Sequence, residues 1–102
     1  METELIIVSE YCRENNLEDV FINLLIDEGL LEVQQLEGVV YVEASRLDDI
    51  ERFSRMYYDL SINIEGIAAI NHMLTRMNEL QNELDTLRKR MHIYEAQLGR
   101  LE

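Results

Sequence analysis

Apolar positions along this chain change their spacing from one segment to the next. From Ile64 to Leu101 they recur at alternating steps of three and four. With Ile70 taken as heptad position a, Ile70, Met77, Leu84, Met91 and Leu98 fall at a. Met73, Leu80, Leu87, Tyr94 and Leu101 then fall at d. No proline interrupts the stretch, and no glycine stands between Gly66 and Gly99. A filled a/d seam over four heptads predicts one long coiled-coil helix. It would measure about 55 Å at the ordinary rise per residue. The residues before it form too small a body to cover that length. The seam Met77, Leu80, Leu84, Leu87, Met91, Tyr94 and Leu98 is therefore expected to meet a second copy of the chain, giving a homodimer. Methionine at two a positions makes the seam adaptable. Parallel pairing sets Glu83 against Arg88 and Arg90 against Glu95, whereas antiparallel registers match Arg76 with Glu83, so charge leaves the orientation open.

Before that helix the pattern is shorter-ranged. Leu5-Ile6-Ile7-Val8 reads as either a short strand or a buried lead-in. Ser9 is a candidate cap for a helix from Glu10 to about Asn15, because its hydroxyl can accept from first-turn amides. Asn15-Asn16 supplies a turn. A second helix is expected from about Leu17 to Glu28. Leu17, Val20, Phe21, Leu24 and Leu25 form its core face, and Gly29 ends it in a left-handed conformation. Together they predict a helix-turn-helix. Glu32 to Val42 is β-branched on both sides of Glu37-Gly38, which predicts a two-stranded hairpin, the wing of a winged helix. A third helix from about Ala44 to Leu60 would turn Leu47, Ile50, Phe53, Met56 (or Tyr57) and Leu60 inward. Asn63 is a good N-cap for the long helix, and Glu65 suits the dipole of its first turn. The first two turns, at Ile64, Ile67 and Ile70, are expected to pack on the head. The fold class is thus mainly α: a winged helix-turn-helix head over residues 1–62 and a long C-terminal helix over residues 63–102.

Charge changes the functional picture. The 102-residue chain has a net charge of −12, unevenly placed. Residues 1–45 hold one base, Arg13, against eleven acids, and residues 46–102 hold eight bases and ten acids. A surface that grips a phosphate backbone needs clustered Lys and Arg, and the first half offers none. Its field would attract a basic partner. Glu18, Asp19, Asp27, Glu28, Asp48, Asp49 and Glu51 are the candidate contacts. Asp27 and Glu28 weigh most, because acids at a helix C-terminus oppose the dipole, whereas the others begin helices and have a structural reason to be acidic.

The chemistry of catalysis is missing from the pattern. Cys12 is the single cysteine and fits a small core residue, so neither a disulfide nor a thiolate metal site is expected. His72 and His92 have no ligand partners at metal spacing. Adjacent acids such as Asp48 and Asp49 point about 100° apart on a helix and make no catalytic dyad. Glycine-rich phosphate loops and local nucleophile–base pairs are lacking. No enzyme, cofactor, metal or small-molecule substrate is therefore expected. The acidic start Met1-Glu2-Thr3-Glu4 is unlike a secretory signal, and no apolar run suits a membrane; the expected location is the cytoplasm.

The segment from Leu17 to Leu31, ending Asp27-Glu28-Gly29-Leu30-Leu31, resembles the start of MerR-type winged helices. The hairpin with Tyr41 is similar to that family's wing. Asp59-Leu60-Ser61-Ile62-Asn63-Ile64-Glu65-Gly66-Ile67 is similar to its lead-in to the dimerisation helix, which in that family pairs antiparallel. The resemblance covers most of residues 5–74. Where MerR-type regulators carry DNA-contacting Arg and paired Tyr, this chain has Val20, Asn23, Leu24 and Leu25, which speaks against DNA binding. Within that superfamily the short length, acidic head, Leu60 to Ile67 segment and coiled tail resemble the chaperone-modulator family CbpM. That resemblance implies binding to the J-domain of a DnaJ/CbpA-like co-chaperone and blocking of its interaction with DnaK. A dimeric MerR-type transcription regulator and a purely structural coiled-coil dimer are the alternatives.

Overall fold

The computed structural model describes residues 4–101, the side chain of Leu101 excepted. Met1, Glu2 and Thr3 of the acidic start lie outside the described residues, as does the seam side chain of Leu101. The chain divides into two compact units, the first reaching to Ala69 and the second beginning at Ile70.

In the first unit, strand β1 (Leu5–Ile7) leads directly into helix α1 (Val8–Glu14). The β-branched run is a strand, and it pairs antiparallel with β3, Ile6 facing Val42. Extended pairing up to Ile7 starts the helix at Val8 with Ile7 at the cap position and no side-chain cap bond. Ser9 therefore lies inside the first turn, and the expectation that it caps the helix is not met. Asn16, at φ +56°, makes the turn. Helix α2 (Asp19–Asp27) follows, and Gly29 at φ +76° reverses the chain so that Leu31 enters the core.

Strands β2 (Gln34–Leu36) and β3 (Val39–Glu43) form the hairpin, so the sheet has three strands in the order β1-β3-β2. Its two-residue turn has Glu37 at φ +51° and Gly38 at φ +81°, the pair of positive angles that matches strand twist. A 3₁₀ turn (Ala44–Arg46) opens helix α3 (Leu47–Ser54), which passes into a π-helical turn (Arg55–Asp59). The Leu60 amide donates to the Arg55 carbonyl five residues back, at 3.1 Å.

Two expected core positions are overturned. Val20 is 62% exposed, and Ile22 takes its place in the core. The phase that included Val20 relied on Leu17, which precedes the first helical residue. Once Leu17 is outside, the stripe Phe21, Ile22 and Leu25 fits the helix equally well. Leu60 is 66% exposed. Met56 and Tyr57 still pack half-buried against the core, but the wider π turn advances the chain by less than 100° per residue, so a face extrapolated at the α-helical period is lost by Leu60.

The core joins Phe21, Ile22, Leu25, Val42, Ile50 and Phe53 to Ile64 and Ile67 at the start of helix α4 (Ile64–Leu101). Asn63 caps α4 as expected: its Oδ1 accepts from the Gly66 amide at 2.8 Å. A Cβ on Gly66 would lie 2.8 Å from Ile62 Cγ2, so any side chain there would force its neighbours to shift. The second unit is the remainder of α4, where every residue from His72 to Arg100 is exposed.

Candidate functional site

The turn from α1 into α2 sets the acids of the head. Glu18 and Asp19 sit at the start of α2, and Asp27 and Glu28 at its end. A nine-residue helix separates the two pairs by about 12 Å, so they form a spread surface and not a converging site. All four are exposed, and none enters an ion pair among the described residues. The start of α2 is fixed by an aromatic cluster that the sequence pattern does not signal. Phe21 lies 5.0 Å from Tyr57 and 5.3 Å from Tyr58 between ring centres. The Glu18 amide donates to the Tyr58 hydroxyl at 3.3 Å. Both tyrosines, consecutive within the π turn, reach the same phenylalanine ring.

The α3 acids differ from those of α2. Asp49 lies 3.6 Å from Arg46 and 3.4 Å from Arg52, and Glu51 pairs with Arg55. Local bases thus compensate two of the three, and such exposed pairs add little stability. Asp48 is exposed. The fields of Glu51 and Asp48 also reach Tyr11 on α1. Burial first, then Glu51, push that phenol above its ordinary value. Cys12 is 3% exposed, and burial, then Asp19, raise its thiol. A raised, buried thiol stays protonated and makes a poor nucleophile or ligand.

Between α2, the start of α1 at Val8 and Ser9, and the hairpin lies an open groove of about 490 Å³. Ile22, Ile26, Val33, Val39 and Val40 supply apolar walls, and Asp19 is the one charged side chain lining it. On the second unit, Met77, Leu80, Leu84, Leu87, Met91, Tyr94 and Leu98 are all exposed along α4. His72 and His92 are exposed as well. Among the described residues no three His, Cys, Asp or Glu side chains group closely enough to hold a metal ion. No helix among them is long and apolar enough to cross a membrane.

The family model for MerR helix-turn-helix regulatory proteins matches residues 6–89, which include nearly all of the winged head and most of α4. No curated protein and no solved structure matches the chain significantly. The match covers well over half of the sequence and agrees with the observed order of helix-turn-helix, wing and long helix. The chain belongs to the MerR helix-turn-helix family of regulatory proteins.

Proposed function

We propose that the protein is a chaperone modulator of the CbpM kind: an adaptor that binds the J-domain of a DnaJ/CbpA-like co-chaperone and keeps it from DnaK in the cytoplasm. One observation carries this reading. In a DNA-reading helix-turn-helix the second helix and the wing meet the duplex with cationic side chains. Here α2 and the hairpin contain no Lys or Arg, and α2 presents Asp19, Val20, Asn23 and Asp27 to solvent. A phosphate backbone would be repelled, whereas a basic protein surface would be drawn in. J-domains are similar in needing a basic helix to dock on DnaK, so an acidic head can occupy the same face. The exposed seam on α4 supports a homodimer that carries two such heads.

The test is the ATPase of DnaK stimulated by the co-chaperone. Added protein is expected to suppress the stimulated rate and leave the basal rate of DnaK alone. Replacing both Asp27 and Glu28 by Lys should weaken suppression by about tenfold, because interfacial charge complementarity is reversed. Undiminished stimulation at saturating protein rejects the modulator reading. For the regulator alternative, duplex DNA is expected to show no measurable complex at near-physiological salt, and a sub-micromolar complex there favours it instead.

A further inference from the structure

We infer that the groove between α2 and the hairpin is the docking site for an amphipathic helix of the protein partner, apolar on one face and flanked by Lys or Arg. The inference rests on the adaptor reading for the identity of the partner and adds where the partner inserts. The groove differs from an ordinary surface crease in what lines it. Ile26, Val33 and Val40 are only half-buried, and Val39 is 37% exposed, so apolar surface is left uncovered between two secondary-structure elements. Covering such surface favours an apolar occupant.

Charge selects which one. Asp19 stands in the lining, and Asp27 and Glu37 are the chain neighbours of the lining residues Ile26 and Gly38. No base lies in α2, in the hairpin or among the residues of the groove. An occupant with cations beside its apolar face meets complementary charge on both walls, while a phosphate or an acidic helix is repelled. Shape favours a helix over an added strand. The two free edges of the sheet, β1 and β2, are only three residues long, about 10 Å of backbone each. A helix seated between α2 and the hairpin can place side chains one turn apart along Ile22 and Ile26.

The experiment uses the full chain, labelled with ¹⁵N and titrated with the unlabelled J-domain of a CbpA-like co-chaperone. Amide shift changes are expected to concentrate on residues 19–26 and 38–40. In parallel calorimetry, Asn23→Arg, which places a bulky cation at the exposed groove wall, should weaken binding about tenfold. Glu14→Arg, a larger charge change outside the groove, should alter it less than about threefold. Tight J-domain binding with shifts confined elsewhere, or with Asn23→Arg inert, overturns the groove and leaves the adaptor reading standing. If the J-domain does not bind at all, the adaptor reading fails. A Leu/Lys amphipathic helical peptide then decides the groove: binding sensitive to Asn23→Arg supports it, and no binding overturns it.

Discussion

The head and the far part of α4 treat their apolar residues in opposite ways. Every buried apolar side chain among the described residues lies between Val8 and Ile67. Along the seam from Met73 to Leu98 no residue at a or d is less than 42% exposed. The head closes its own core by combining three helices, a three-stranded sheet and the first turns of α4. The far helix repeats one pattern and leaves its seam exposed from Met73 to Leu98. An isolated helix in water draws little stability from propensity alone, so its order is expected to depend on association. The molecule therefore contains a self-sufficient part and a conditional part, joined at the start of one helix.

The most damaging substitution for the conditional part is Leu84→Lys. It buries two unpaired charges in a dimer seam and should cost about 3–5 kcal/mol or more. Light scattering at tens of micromolar is expected to give a dimer mass for the parent and a monomer mass for the variant. A monomeric parent would end the comparison. Phe21→Ala attacks the self-sufficient part. Phe21 is 1% exposed and touches both Tyr57 and Tyr58, so truncation should cost about 3–5 kcal/mol in chemical denaturation. The dimer mass should survive wherever the head remains folded.

A smaller effect is expected at the junction. Gly66→Ala raises helix propensity, yet its new Cβ would crowd Ile62 and the capping oxygen of Asn63. The balance predicts a loss of about 1 kcal/mol or more, read as a lower melting temperature. Asn63→Ala, which removes the cap, should cost about 1 kcal/mol. The smallest effect is alkaline. Tyr11 and Cys12 have pKa values raised above their ordinary 10.0 and 9.0 in the folded head. The unfolded chain therefore loses these protons first as pH rises. Their contribution is complete below about pH 9 and declines above it, so head stability should fall from that point upwards. Stability that keeps rising above pH 10 would contradict this assignment of the two groups.

Several local features, though not the expected cap at Ser9, were legible in the sequence because they depend on local chemistry. Asn63 as a cap, Gly29 as a left-handed stop and the Glu37-Gly38 hairpin all stand where their residue types place them. Features that depend on partners distant in sequence were not legible. Val20 lost the core to Ile22 because tertiary packing chose between two nearly equal faces of a short apolar-rich helix. Leu60 left the core because the π turn broke the period, and nothing in Arg55-Met56-Tyr57-Tyr58-Asp59 announces that turn. At the candidate site the acids could be counted from the sequence, and the arginines paired with Asp49 and Glu51 stand three or four residues away, a local helical spacing that a count of charges overlooks. The groove depends on α2 facing the hairpin and has no contiguous signature at all.

In the proposed function the acidic head recognises a basic protein surface electrostatically. Calorimetric titration of the full chain with the J-domain, repeated over a series of salt concentrations, tests it most directly. A saturable complex whose affinity falls steadily as salt rises is the predicted result. No complex at low salt, or one whose affinity does not change with salt, would contradict it.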